Sequence, residues 1–183
     1  MIVKKIFLTN LKDLWSIFYK MTLIDDYLSE QIKYEEKYGE TTIVLMQVGH
    51  FYEAYGVDNE NEKTNSANMT HLSDIMNIQM TRKNKTIAEN NRHNPLMIGV
   101  NIYSIDKYIQ ILLNANYTIV LISQTSEVPF IKREVTNIYS PGTNIEYTIK
   151  GDTNNLVSIF VEQINNAKTN KNILFIGASS IDL

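Results

Sequence analysis

The chain of 183 residues contains no cysteine, only three prolines and only seven glycines. Without cysteine, disulfide scaffolds, thiolate metal sites and cysteine nucleophiles are excluded. The scarcity of proline and glycine argues against linker-like and collagenous chains, and no apolar run reaches the roughly 18 residues that cross a bilayer. Basic residues are also in deficit, with 17 against 20 acidic ones and a net charge of −3. Such a chain is not a general polyanion binder, so any contact with nucleic acid must be local.

What is present suffices for a packed core. Hydrophobic residues make up 44% of the chain and aromatic residues 10%, which suits one domain, or one domain and part of a second. Residues 1–20 carry four lysines and one aspartate, and Leu11, Trp15 and Phe18 recur at helical spacing. We interpret residues 1–21 as a basic amphipathic extension, because a mitochondrial presequence would be rich in arginine and serine. The expected location is therefore cytoplasmic or nuclear, with a mitochondrial origin left open.

Helical and strand patterns alternate through residue 125 and predict an α/β fold with some parallel strand pairing. Thr22 and Asp25 form a capping-box pattern, and the helical stripe that follows, which includes Ile32 and Tyr38, stops at Gly39. Continuous apolar runs predict buried strands. The predicted strands are 42–48, 78–81, 95–100, 117–123 and 134–139, and two further helices are predicted to be capped by Ser66 and Ser104.

The last third of the chain has a different character. Residues 140–143 read as a turn, residues 151–155 as a linker, and apolar runs at 156–160 and 173–178 as the two strands of a hairpin. Two strands cannot bury an apolar face by themselves. We therefore expect a fragment of a longer protein or a truncated gene product, with a domain boundary near residue 150.

The informative motif is Gly49-His50-Phe51-Tyr52-Glu53, at the end of a predicted buried strand. If Phe51 points outward, Tyr52 points inward and Glu53 outward again, which places a ring and a carboxylate together at a sheet edge. An apolar ring can wedge into a base step from the minor groove, and a carboxylate can hydrogen-bond a base edge. From the pattern alone, ordinary core aromatics beside a surface glutamate are the favoured interpretation, because phenylalanine is usually buried.

The motif resembles the Gly-x-Phe-(Tyr or Phe)-Glu signature of MutS-type DNA mismatch repair proteins. Other segments between about residues 22 and 143 are similar to that family in the same order. They are residues 76–83, 95–103, 120–124 and 132–143, which resemble the family's LDISLTKR, PMAGIPYH, VAICEQ and RKV…TPGT segments. The resemblance implies a mixed sheet flanked by helices for the recognition domain at 22–150. For residues 151–183 it implies the truncated beginning of an RNase H-like connector domain.

The resemblance also implies roles for the residues of the motif. Phe51 would stack on a mispaired or unpaired base, and Glu53 would hydrogen-bond that base. Gly49, His50 and Tyr52 would form the supporting turn. His50 departs from the family, where an aspartate or a small residue is common, and brings a side chain whose charge can change near neutral pH.

The basic segment after residue 81 is assigned a smaller role. Arg82, Lys83 and Lys85 would at most touch phosphates, and an ordinary solvated loop is an equal alternative. Asn101 and Ser104 stand where the family has proline and histidine, so no role is carried over to them.

The resemblance implies a duplex DNA partner that contains a mismatch or a small loop, and a homodimer formed through domains absent from this chain. ATP and Mg²⁺ belong to the full-length family. No Walker A sequence occurs here, so we expect no enzymatic activity and no cofactor in this chain. We also expect no metal site and no membrane partner. The Met-Gln-Val-Gly sequence before His50 is more similar to viral and organellar family members than to most bacterial ones.

Two other functions stay open. The chain could be a MutS-derived interaction protein that has lost DNA recognition and docks a partner through its terminal hairpin. A metal-dependent nuclease is disfavoured, because no acidic cluster surrounds a strand end apart from Glu53.

Overall fold

The computed structural model of the protein describes residues 22–126, 130–143, 155–166 and 171–182. The predicted extension at 1–21 and residues 151–154 of the predicted linker lie outside the described residues. The elements in chain order are α1 (Leu23–Tyr38), β1 (Thr42–Val48), β2 (Phe51–Asp58), β3 (Lys63–Thr64), α2 (Ser66–Met76), β4 (Thr81–Arg82), β5 (Leu96–Asn101), a 3-10 turn (Ile102–Ser104), α3 (Ile105–Asn114), β6 (Thr118–Gln124), β7 (Arg133–Tyr139), β8 (Asn155–Asn166) and β9 (Lys171–Asp182).

The main sheet has the strand order β4-β5-β2-β1-β6-β7, and the short β3 pairs with β2. Strands β1 and β6 are parallel. The other neighbours in this sheet are antiparallel. The predicted α/β fold with a mixed sheet flanked by helices is therefore confirmed.

Helices cover both faces of the sheet. The ring of Tyr27 in α1 packs edge-to-face on Tyr55 of β2, with ring centroids 5.1 Å apart. The next residue, Gly56, faces the opposite side, where a Cβ would lie 2.7 Å from Cγ of Met69 in α2. Helix α3 packs beside α2 and buries Ile109, Leu112 and Leu113. The result is a three-layer arrangement around one buried core.

The first helix begins and ends as predicted. The amide of Asp25 donates to Oγ1 of Thr22 at 3.2 Å, and the amide of Thr22 donates to Oδ2 of Asp25 at 3.2 Å. Gly39 follows the last turn with a φ of +99°. The predicted apolar stripe was wrong in part, because Ile32 and Tyr38 are exposed while Tyr34 is buried. The buried face of α1 therefore includes Tyr34 and excludes Ile32 and Tyr38, unlike the face that the sequence pattern predicted.

Strands β1 and β2 pair only near the turn that joins them, from Met46–Glu53 to Val48–Phe51. Side chains of α1 fill the opening beyond that point. Gln31 donates from Nε2 to the Thr42 carbonyl and accepts at Oε1 from the Val44 amide, both at 2.8 Å. The Tyr27 hydroxyl donates to the Val44 carbonyl at 2.9 Å. The helix thus satisfies polar backbone groups that no neighbouring strand reaches.

Three local predictions need correction. Ser66 does not cap α2, because the cap position is Asn65, which adopts a φ of +57°. The strand predicted at 78–81 is the two-residue β4. Ser104 stands at the cap position of α3 but makes no side-chain capping hydrogen bond, because the 3-10 turn precedes it. The capping oxygen of that turn comes from Asn101, whose Oδ1 accepts from the Tyr103 amide at 3.0 Å.

The predicted turn and hairpin are present near the end of the chain. The Thr143 amide donates to the Ser140 carbonyl at 3.2 Å. Strands β8 and β9 form a separate antiparallel pair of twelve residues each, longer than the sequence pattern suggested. The domain boundary near residue 150 and the RNase H-like character of this hairpin stay predictions.

Candidate nucleic-acid interface

A two-residue turn presents the predicted recognition motif. Val48 pairs with Phe51 across Gly49 and His50, and Gly49 has a φ of +60°. Glycine at the first position with positive φ is the signature of a type II′ turn, whose twist matches that of the flanking strands. His50 is exposed at the tip. The sharp change of direction predicted at Gly49 is therefore present.

The ring of Phe51 is 45% exposed. Phe51 is the first residue of β2 and lies opposite Val48 of β1 and Asn101 of β5. The predicted placement at a sheet edge was wrong, because β2 is an internal strand between β1 and β5. The ring is exposed because it stands at the end of its strand, on the rim of the sheet. Neighbours on both sides therefore hold the backbone beneath it.

Glu53 shares a face with Phe51, two residues along β2. Glu53 is half-buried rather than fully outward, and the Tyr55 hydroxyl donates a hydrogen bond to its Oε2. The β5 residue opposite is Gly99, where a Cβ would lie 3.5 Å from Cγ of Glu53. Gly99 therefore places no side chain beside Glu53.

The side chain of Gln47 joins the Gly49-His50 turn to strand β6 through hydrogen bonds. Its Nε2 donates to the Gly49 carbonyl at 3.1 Å, and its Oε1 accepts from the Gln124 amide of β6 at 2.9 Å. The Gln47 carbonyl accepts from Nε of Arg133 in β7 at 2.9 Å. The Gly49-His50 turn is therefore connected to two strands beyond its own hairpin.

Tyr52 faces the opposite side of the sheet from Phe51 and is half-buried. Its hydroxyl lies 2.7 Å from Oγ of Ser123 in β6, which lies 2.8 Å from Oγ1 of Thr136 in β7. The hydroxyl chain crosses the sheet from β2 to β7. It ties the strand that carries Phe51 to the far side of the sheet.

The predicted phosphate contacts lie at and beside strand β4. Arg82 and Lys85 line a cavity of about 310 Å³ at strand β4, and Nε of Arg82 is buried without a partner among the described residues. Lys83 is exposed, and its amide donates to the Pro95 carbonyl at 3.1 Å. Arg82 pairs with Leu96, five residues along β5 from the partner of Phe51. At about 3.4 Å per residue, the cavity lies roughly 17 Å from the rim.

Arg92, in the same basic segment, is occupied within the protein. Its Nη1 lies 2.9 Å from Oδ1 of Asp25, and its Nη2 lies 2.8 Å from Oε1 of Glu62. These contacts lower the pKa of Glu62, and together with the Thr22 hydrogen bond, which is the larger cause, they lower the pKa of Asp25. Arg92 is therefore a structural cation rather than a candidate for phosphate contact.

Sequence reasoning missed three residues at this rim, namely Gln47, Tyr103 and Arg133, and the buried Tyr55 that bonds Glu53. Tyr103 is 86% exposed and follows the strand residue opposite Phe51. The Ile102 amide donates to the His50 carbonyl at 3.0 Å, which joins the 3-10 turn to the Gly49-His50 turn. Tyr103 ends a segment that resembles the family, but nothing in the sequence predicted its exposure. The contacts of Gln47 and Arg133 join strands that are distant in sequence. The contact of Tyr55 with Glu53 lies within one strand, and the alternation of side chains was its only sequence signal.

In the part of the chain that the structure describes, no three His, Asp or Glu side chains lie where they could hold a metal ion together. None of the described helices is both long enough and apolar enough to span a membrane.

The sequence of residues 28–148 matches the family model of MutS domain I. The chain belongs to the MutS family, and these residues constitute its domain I. It is 34% identical over 165 residues to a mutS homologue of Acanthamoeba polyphaga mimivirus that is named for DNA mismatch repair. It is 30% identical over 149 residues to the DNA mismatch repair protein MutS of Thermotoga neapolitana.

These alignments cover 90% and 79% of this chain, but only 14% of the viral protein and 16% of the bacterial one. The chain therefore spans about a seventh of the length of these relatives.

Proposed function

We propose that this chain binds mismatched or unpaired bases in duplex DNA, with Phe51 stacking on the base from the minor groove and Glu53 hydrogen-bonding it. The observation that carries the proposal is the exposed ring of Phe51 at the end of an internal strand. An exposed aromatic ring is suited to base stacking. Membership of the MutS family supports the choice of DNA as the partner, since the matched relatives are named for mismatch repair.

The free energies of stacking and unstacking a base explain why such a site would prefer mismatches. Stacking one base on an aromatic ring contributes about 1–3 kcal/mol, and unstacking a paired base step costs about a few kcal/mol. For intact duplex these terms nearly cancel, so insertion gains little. A mismatched step is already weakly stacked and easily kinked, so the cost falls while the stacking term remains. The preference then arises from the deformability of the DNA more than from reading its sequence.

Phosphate contacts complete the proposed interface. Arg82 and Lys85 share a cavity, and the exposed Lys83 lies between them in sequence. Their distance of roughly 17 Å from the rim suits a phosphate several positions away from the stacked base. We assign them backbone contacts, which position the duplex without reading its sequence.

The proposal gives this chain no cofactor. ATP and Mg²⁺ binding, and a homodimer, are proposed for parts of a longer family member outside these 183 residues. The chain spans about a seventh of the length of these relatives.

The test uses the 183-residue chain and a short duplex with one G·T mismatch or one extra base. Titrations followed by NMR chemical shifts yield Kd values for the mismatched and the matched duplex even when binding is weak. We expect Phe51→Ala to reduce the preference for the mismatched duplex by about tenfold, because one stacking contact is lost.

Tyr103→Ala is the matched control, since it removes another exposed aromatic ring from the same rim. This variant should keep the ratio of the two Kd values. Should Phe51→Ala retain the full preference, or Tyr103→Ala lose as much of it, the assignment of Phe51 is wrong.

A second candidate function is supported by the terminal hairpin. Strands β8 and β9 expose apolar side chains on both faces, including Ile159, Phe160 and Ile176. An apolar two-stranded ribbon of this kind is a surface that a partner could cover. On this alternative, the chain has lost DNA recognition and binds a partner protein through the hairpin.

The two candidates make different demands on the hairpin. If the hairpin docks a partner protein, Val161→Lys should abolish the complex with that protein in size-exclusion chromatography. Ser158→Lys, on the same strand, should weaken the complex less. If DNA recognition is the function, both variants should keep the preference for mismatched duplex.

A further inference from the structure

Glu53 is held by a buried neighbour on its own strand. Tyr55 lies two residues further along β2 on the same face and is 2% exposed. Its hydroxyl donates a hydrogen bond to Oε2 of Glu53. Because both residues belong to an internal strand, the backbone under this contact is paired on the β5 side over its whole length. The contact is therefore built into the sheet.

The Tyr55 ring has little freedom to move. Tyr27 of α1 packs against it edge-to-face, with the planes of the rings at 80°. Nδ2 of Asn65 donates to the Tyr55 carbonyl at 2.8 Å. Tyr27 directs its own hydroxyl elsewhere, to the Val44 carbonyl. Of these two tyrosines, only Tyr55 directs its hydroxyl at the recognition motif.

The direction of the hydrogen bond is fixed by protonation. Burial raises the pKa of Tyr55, and the hydrogen bond to Glu53 and the negative charge of that carboxylate raise it further. The hydroxyl therefore keeps its proton at neutral pH and acts as a donor. A donor at Oε2 occupies that oxygen and fixes the plane of the carboxylate. Among the described residues no group donates to Oε1, and the β5 residue opposite Glu53 is Gly99, which has no side chain.

We propose that Tyr55 is a positioning residue for base recognition: its hydroxyl holds Glu53 by Oε2, so that Oε1 faces the rim and accepts a hydrogen bond from an N–H group of the displaced base. This inference rests on the function proposed above and adds Tyr55 as a residue that acts through Glu53. It makes the site selective for bases that present an N–H donor to Oε1. Tyr55 itself does not touch DNA.

The test is a double-mutant cycle in the 183-residue chain, with Tyr55→Phe, Glu53→Ala and the double variant. Tyr55→Phe keeps the buried ring and removes only the hydroxyl. We expect it to reduce the preference for a G·T mismatch over matched duplex by about threefold to tenfold, the worth of one hydrogen bond. In the Glu53→Ala background the same change should have no further effect on that preference.

Tyr27→Phe is the matched control, because it removes the hydroxyl of the other tyrosine in the pair without touching Glu53. It should lower the melting temperature and leave the mismatch preference unchanged. A purely structural role of Tyr55 predicts a different pattern. Tyr55→Phe and Tyr27→Phe would then both lower stability, and neither would change the preference for the mismatched duplex.

The outcomes separate this inference from the function on which it rests. If Phe51→Ala reduces the preference while Tyr55→Phe does not, or if Tyr55→Phe acts equally with and without Glu53, the positioning role is overturned and base stacking stands. If Phe51→Ala has no effect, both proposals are overturned together.

Discussion

At the scale of single residues, Gln31 shows how a polar side chain can serve as a partner for the backbone of a strand. It is fully buried in α1 and bonds the backbone of β1 at both Thr42 and Val44. An amide is suited to this place because it donates and accepts at once, as a strand does. The side chain thus substitutes for two backbone groups where β1 and β2 separate.

We expect Gln31→Leu to lower the free energy of unfolding by about 3 kcal/mol, because it leaves a buried carbonyl and a buried amide without partners. Chemical denaturation at neutral pH measures the change. Gln31→Met, which also lacks both polar atoms, should cost about as much. A loss below about 1 kcal/mol for both variants would show that water or a backbone shift satisfies the two groups.

The sequence alone predicted only part of how the recognition motif is arranged. The alternation of Phe51, Tyr52 and Glu53 predicted which side chains share a face, because that follows from strand geometry. It could not predict that Tyr55 would hold Glu53, since this depends on how deeply α1 buries the strand. Nor could it predict that Arg92 is occupied, because both of its carboxylate partners are distant in sequence.

At the scale of elements, Arg92 connects three parts of the fold. Its guanidinium joins the first turn of α1, through Asp25, to the loop between β2 and β3, through Glu62. Arg92 itself belongs to the long segment before β5. One side chain therefore fixes two loops to a helix end, and the pKa of each carboxyl partner is lowered.

We expect Arg92→Gln to lower the free energy of unfolding at pH 7 by about 1 kcal/mol, at the upper end for exposed ion pairs because the guanidinium has two partners. The ordinary pKa values are 3.8 for Asp25 and 4.5 for Glu62, and both are lowered in the folded protein. The contribution is therefore complete above those values and is lost as the pH falls through the lowered ones.

Urea denaturation of the wild type and of Arg92→Gln across that pH range measures the loss. Lys83→Gln is the control, because it removes a positive charge from the same segment without an observed carboxylate partner among the described residues. A difference between wild type and Arg92→Gln that persists unchanged in acid would contradict the ion-pair origin of the effect.

Elements were predicted well where local chemistry decides them and poorly where tertiary contacts do. The capping box of Thr22 and Asp25 marked the start of α1 because both partners lie within one turn. The start of α2 was misassigned because Asn65 in the left-handed region, and not Ser66, precedes it. The edge position predicted for Phe51 was wrong because strand order depends on contacts between β2 and β5, which are distant in sequence.

At the scale of the whole molecule, charge limits how this domain can hold DNA. The chain carries a net charge of −3, and the candidate phosphate contacts are confined to Arg82, Lys83 and Lys85. Each phosphate neutralised by a cation contributes about −0.9 to the slope of log K against log salt concentration. Binding by this domain should therefore depend only weakly on salt.

We expect that slope to be no steeper than about −3 for the 183-residue chain, and Arg82→Gln to make it shallower by about one. Titrations at several salt concentrations with mismatched and matched duplex measure both. Arg92→Gln serves as the control, since Arg92 is paired within the protein, and it should leave the slope unchanged. A steeper slope would mean that further cations contact the DNA.

The length of the turn between β1 and β2 determines which face of the sheet each side chain of β2 occupies. Only two residues separate the strands, and side chains alternate strictly between faces from Phe51 onwards. One residue added to or removed from this turn would slip β2 by one position, and Phe51 and Tyr52 would exchange faces of the sheet. Substitution of the exposed His50 is therefore compatible with the recognition motif, whereas an insertion or deletion in the turn is not.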